Sequence, residues 1–175
     1  MNKMLSRPIP EIVKKEFQKN KNIRVRVSIF LIKNQKVFFL KSIIKHQEAW
    51  FLPGGSVKSC ESLLQAGRRE IKEELAIHVD NLKVISITDC ISPRNEYHIL
   101  EIIFLAHTKN TPVIKEEPLL PGEKTENQYS VEGAWLTLKQ LSKINAYPRN
   151  FIKRILPMYL KSKKLSETVY LGIDK

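Results

Sequence analysis

An α/β fold is what this chain predicts, and three observations carry that reading. Strand-like and helix-like stretches alternate along the sequence, the arrangement that packs helices against a sheet. The 175 residues suit one domain with a sizeable core. A short apolar stretch, Trp50-Phe51-Leu52-Pro53, runs through Gly54-Gly55 towards an amphipathic helix.

The elements follow in order. Residues 1–21, with Lys14, Lys15, Lys19 and Lys21, read as a basic lead-in helix ahead of a domain spanning 22–160. From Asn22 to Ile32, Ile23, Val25 and Val27 alternate with Arg24, Arg26 and Ser28 before an apolar run, so this is a strand. Lys33 to Lys36 is a polar turn, and Val37–Leu40 is the second strand of a hairpin. Trp50 to Pro53 is a brief strand ending in a turn. Gly54 and Gly55 accept positive φ and let the backbone come close to a ligand. Ser62 is the N-cap of a helix from Leu63 to Leu75, with Gln65 completing a capping box. Leu64, Ile71 and Leu75 form its core-facing stripe, with Gly67 between them. Gly67 costs about 1 kcal/mol against Ala, which close approach of another backbone would offset. Lys83–Ile91 and Tyr97–Thr108 are further strand candidates, and Thr111 to Tyr129 is a long loop. Leu138–Ile144 and Pro148–Leu156 are helical by pattern, with Pro157 ending or kinking the second. Residues 161–175 are a basic tail or an interface arm.

Composition narrows the setting. Two cysteines, Cys60 and Cys90, make no disulfide framework, which suits a reducing cytoplasm. Cys60 reads as a bystander beside Glu61. No apolar run reaches membrane-spanning length, since even Ile99–Ala106 is broken by Glu101, and the N-terminus lacks a signal-peptide core. His46, His78, His98 and His107 have no metal-ligand spacing. The net charge is +12, and eight Lys or Arg residues with no Asp or Glu lie between Gly133 and Ser166. Such a field attracts polyanions, but no aromatic-basic motif for RNA accompanies it.

The chemistry lies between Gly55 and Ile77. Glu70, Glu73 and Glu74 stand at i,i+3 and i,i+4, so they are neighbours on one helix face. Arg69 and Lys72 offset their repulsion only in part; a bound cation removes it. Oxygen-only ligands suit Mg²⁺ or Mn²⁺. A charged run of this kind alone is usually a solvated surface. Gly55 and Glu61 at fixed upstream offsets change that reading, because six specified positions coincide by chance about once in ten million starts.

The segment resembles the box of the Nudix hydrolases, Gly-x5-Glu-x7-Arg-Glu-U-x-Glu-Glu-x-Gly-U, where U is a bulky aliphatic residue. Gly55, Glu61, Arg69, Glu70, Ile71, Glu73, Glu74 and Ile77 match, and Ala76 replaces the last glycine. That glycine stands where helices commonly end in the left-handed conformation, so Ala76 bears on stability and the exit loop more than on ligation. The resemblance implies an α/β/α sandwich with a mixed sheet between helices, in which Glu132–Leu136 looks like the strand ahead of the last helices. It implies Mg²⁺-dependent hydrolysis of a phosphoanhydride in a nucleoside diphosphate linked to another group, ADP-ribose-like or a nucleoside triphosphate. Residue by residue, it assigns Glu70, Glu73, Glu74 and the Gly54 carbonyl to the metal, with the residue at Glu70 acting instead as general base in some members. Arg69 would orient Glu70. Gly55, Glu61 and Tyr97 fall on the substrate side, Glu61 by supporting the loop.

A further carboxylate often comes from outside the box. Glu116, Glu117, Glu123 and Glu126 in the long loop are the candidates, with Glu101 and Glu132 weaker because both lie in strands. Pro93 and Tyr97 sit near offsets that mark the ADP-ribose and dinucleoside-polyphosphate branches. Trp50 and Trp135 read as packing residues. Two other functions stay open at this point: a nucleotide sensor without turnover, and a pyrophosphohydrolase of RNA 5′ ends. Similar proteins are often homodimers.

Overall fold

The computed structural model describes residues 22–44, 47–91, 98–108, 111–113, 132–163 and 167–174. Their strands are β1 (Arg24–Lys33), β2 (Lys36–Ile44), β3 (Gln47–Phe51), β4 (Gly54–Ser56), β5 (Lys83–Ile91), β6 (His98–His107), β7 (Glu132–Leu136), β8 (Ala146–Tyr147) and β9 (Val169–Asp174). The helices are α1 (Leu63–Leu75), α2 (Leu138–Leu141) and α3 (Leu156–Ser162), the last entered through a π turn, Phe151–Ile155. The lead-in segment, Pro93, Tyr97, Glu116, Glu117, Glu123 and Glu126 lie outside the described residues.

One mixed sheet runs in the order β8-β3-β2-β1-β6-β5-β9, with β4 added to β1 and β7 to β2. Alternation in β1 sorts its side chains onto two cores. Val27, Ile29 and Leu31 face α1, among Ile71, Leu75 and Phe104. Phe30 and Ile32 face the other layer, among Phe151, Ile155, Leu156 and Tyr159. The predicted sandwich is therefore present.

Partners divide along β1. It runs parallel to β6 from Arg24 to Ile32. β2 pairs with it only at Ile32–Val37 and Lys33–Lys36, around a turn whose Asn34 and Gln35 both have positive φ (49° and 61°), the geometry of a tight hairpin. β2 then leaves to pair with β3 and β7. The vacated edge is taken by β4, which sets Gly54 opposite Ser28 and Gly55 opposite Val27. The glycine loop is thus anchored to the centre of the sheet.

Several expectations need correction. Leu64 is 41% exposed; the buried face of α1 is Ala66, Gly67, Ile71 and Leu75. Leu64 belongs to the first turn, before the helix meets the sheet at Ala66 and Gly67. At Gly67 the close approach is by side chains: a Cβ there would lie 3.0 Å from Leu82 Cδ1 and 3.2 Å from Ile29 Cδ1. The helix expected from Leu138 to Ile144 stops at Leu141. Of the two expectations for Pro157, ending the helix fails: it stands in the first turn of α3, directly after a local change from π to α geometry. The preceding π turn is wider, with the Leu156 N–H reaching back to the Phe151 carbonyl, and a first-turn proline has no N–H to leave unpaired. Part of the supposed tail, Val169–Asp174, is an edge strand parallel to β5.

Trp50 packs against one core, and Trp135 meets Phe38 edge-on at 5.2 Å in the other. No helix among the described residues is long and apolar enough to cross a membrane.

Candidate active site

Local structure holds α1 in place from both ends. Ser62 accepts from the Gln65 N–H while the Gln65 side chain accepts from the Ser62 N–H, the capping box expected. At the other end Ala76 has φ 54° and gives its N–H to Lys72, so alanine does occupy a left-handed cap. The Leu75 carbonyl accepts from Val113. Left-handed alanine is strained, whereas glycine is not. Ala76→Gly is therefore expected to stabilise the fold by about 0.5–1 kcal/mol after the entropy cost of glycine, read as a shift in the denaturant midpoint at unchanged slope.

Arg69 knits the loop to the helix. Its Nε and Nη2 donate to Glu61 at 2.7 and 2.9 Å, and Nη2 also to the Ser56 carbonyl at 3.0 Å. Nη1 donates to Glu70 at 2.6 Å and to Glu73 at 3.0 Å. The fork geometry of guanidinium suits this. The Arg69 pKa rises accordingly, first through the Glu61 bonds. Glu61 accepts from the Lys58 N–H at 3.0 Å as well. Both its oxygens have protein donors, which fits support of the loop.

The Arg69 bonds, then the Lys58 amide, hold the Glu61 carboxyl down at about 2, against an ordinary 4.5. A carboxyl depressed in the folded state stabilises it fully above its ordinary range and loses that contribution as pH falls from 4.5 to about 2. The Tm difference between wild type and Glu61→Gln should be flat at neutral pH and shrink across that acid window. Thermal unfolding at stepped pH measures it.

The two glycines make room for the carboxylates. The Gly54 N–H donates to Glu74 at 2.8 Å. Gly54 has φ 140°, and a Cβ on it would fall 2.1 Å from the Val27 carbonyl oxygen. A Cβ on Gly55 would fall 2.4–2.5 Å from the Glu70 carboxylate. Strand β4 thus presses against the acidic face of α1, and only glycine fits there.

Glu70 and Glu73 meet at Arg69, while Glu74 reaches Gly54. Among the described residues no three acidic, histidine or cysteine side chains converge as a preformed metal cage. The donors are nonetheless all oxygen, and the missing Cβ of Gly55 lets the Glu70 carboxylate lie against the loop, so the set fits a hard cation that retains waters. Glu132 pairs with Lys41 at 3.4 Å. Glu101 is buried and takes part in a separate chain: Ser28 donates to it at 2.5 Å, and Arg26 stands 3.6 Å away. Arg26 and Ser28 were legible only as the outward face of a strand. Ser28 is nonetheless fully buried and Arg26 half-buried on that face, which alternation in one strand does not reveal.

The NUDIX domain family profile matches residues 22–155. Solved structures share the fold. A MutT NUDIX hydrolase from Burkholderia pseudomallei is 22% identical with a TM-score of 0.58, over 82% of this chain and 99% of that one. A NUDIX hydrolase from Nitrosomonas europaea is 17% identical with a TM-score of 0.61, over 82% and 92%. An ADP-ribose pyrophosphatase from Streptococcus suis is 17% identical with a TM-score of 0.58, over 87% and 100%. No curated protein matches the sequence. A loop–helix box with clustered carboxylates on this sandwich defines the class, a hydrolase. The chain belongs to the NUDIX domain family.

Proposed function

We propose that the chain is a Mg²⁺-dependent pyrophosphohydrolase of nucleoside diphosphate derivatives. The observation that carries this reading is the Gly54–Glu74 and Gly55–Glu70 packing, which keeps two carboxylates at a glycine loop where no larger residue fits. Glu70, Glu73, Glu74 and the Gly54 carbonyl are the groups that would hold Mg²⁺, with Mn²⁺ as substitute. When bound, the metal neutralises diphosphate charge and lowers the pKa of water.

The chain's own residues do the rest. Arg69 sets the rotamers of Glu70 and Glu73 by charge-assisted bonds. Glu61 fixes Arg69, so the carboxylate face is oriented before substrate arrives. Glu70, held on one oxygen by Arg69, would alternatively serve as the general base that takes a proton from the attacking water, in place of its metal-holding role. The positive charge of the chain draws in the anionic substrate. The free Cys60 and Cys90 suit a cytoplasmic setting.

The test is a substrate panel in H₂¹⁸O: ADP-ribose, nucleoside triphosphates, dinucleoside polyphosphates, nucleotide sugars and 5′-triphosphorylated RNA. Turnover with one ¹⁸O in a single product phosphate supports attack at phosphorus and names the substrate class. Saturable nucleotide binding without turnover on any substrate contradicts the reading in favour of a sensor.

A further inference from the structure

Arg26, Ser28 and Glu101 form a polar chain that nothing in the site above requires. Ser28 is fully buried and Glu101 is 7% exposed. Ser28 Oγ donates to Glu101 Oε1 at 2.5 Å, and Arg26 Nε lies 3.6 Å from the same oxygen and 3.3 Å from Ser28 Oγ. Cys90 Sγ reaches Glu101 Oε2 at 3.6 Å. Buried charge pairs are frequently no more stabilising than apolar side chains of equal volume, so stability is a poor reason for this one.

Its location offers a better reason. Arg26 Nη2 donates to the Leu52 carbonyl at 3.4 Å. The Ile29 N–H donates to the Pro53 carbonyl at 2.8 Å, and Ser28 is the register partner of Gly54. The Leu52–Gly54 turn therefore hangs on β1, and its last residue binds Glu74. Two of these three ties are backbone geometry. The third depends on where a long arginine side chain points, and Glu101, itself fixed by Ser28, determines that.

We propose that Arg26 and Glu101 are a positioning pair: they hold the Leu52–Gly54 turn and, through the Gly54 amide, the carboxylate of Glu74. The proposal rests on the reading of Glu74 as a metal-holding group. Neither residue touches the substrate or the metal in this account.

Two variants of the full chain separate positioning from bulk stability. Glu101→Gln keeps the side-chain shape and an acceptor for Ser28 but removes the countercharge of Arg26. Arg26→Met keeps the stem and removes the guanidinium. Ile103→Val, which trims a buried side chain two residues along β6, is the control for simple destabilisation. The readouts are amide exchange at Gly54 by NMR and Mn²⁺ binding by EPR. Both positioning variants should weaken Mn²⁺ binding about tenfold and speed exchange at Gly54, and the double variant should add little to either single one. Ile103→Val should lower the unfolding midpoint and leave both readouts unchanged. Folded variants with wild-type exchange at Gly54 and wild-type Mn²⁺ affinity overturn the proposal. If the wild type binds no Mn²⁺, the metal reading fails, and Gly54 exchange alone decides the positioning role.

Discussion

Glu74→Gln should lower kcat by about 10²–10⁴-fold while the protein stays folded. Glutamine retains an oxygen that can accept the Gly54 N–H, so the 2.8 Å tether between loop and helix survives the change. What goes is the negative charge, and with it a proposed ligand for a hard cation. The acidic helix face also loses one of three mutually repelling groups, so Tm should hold or rise slightly. Steady-state kinetics at saturating Mg²⁺, paired with a thermal melt, checks both halves. A folded variant with wild-type kcat would remove Glu74 from the chemistry.

The glycine pair should divide by what each added methyl meets. Gly54→Ala places a Cβ 2.1 Å from a backbone oxygen of β1 at a φ of 140°, which alanine seldom adopts. The centre of the sheet cannot yield, so the cost should reach about 3 kcal/mol or more, seen as a large fall in denaturant midpoint or loss of soluble protein. Gly55→Ala meets the Glu70 carboxylate at 2.4–2.5 Å instead. A side chain can swing away, so this variant should fold. In doing so Glu70 must leave its 2.6 Å bond to Arg69, and activity should fall by roughly the factor lost on removing an active-site acid or base. Midpoint and kcat measured side by side distinguish the two outcomes.

The legible parts of this protein were those written in local pattern. The Ser62–Gln65 box, the Leu63–Leu75 helix, the hairpin around Asn34 and the strand Lys83–Ile91 follow from capping chemistry and alternation within a few residues, whereas Glu132–Leu136 was found through the family resemblance. Helical spacing likewise puts Glu70, Glu73 and Glu74 on one face of α1, but does not reveal that Glu70 and Glu73 turn to Arg69 while Glu74 turns to Gly54.

What escaped depends on partners distant in sequence. β4 is three residues long and exists because β2 abandons the edge of β1. β9 alternates well enough, but its charged flank gave no hint that β5 offered an edge. Leu64 sits on the helical stripe yet stays exposed, because burial also depends on where the sheet lies. The Arg26–Glu101 chain joins residues 75 positions apart by numbering, on strands whose parallel pairing only the fold reveals.

Under the proposed function, the carboxylate face of α1 makes this chain a metal-dependent hydrolase of phosphoanhydrides. The most direct measurement is product release from the substrate panel with Mg²⁺ titrated from zero, wild type against Glu74→Gln. Turnover that is absent in chelator, saturates with Mg²⁺ and collapses in the variant is the predicted result. Turnover undiminished by chelator, or equal in the two proteins, would contradict it.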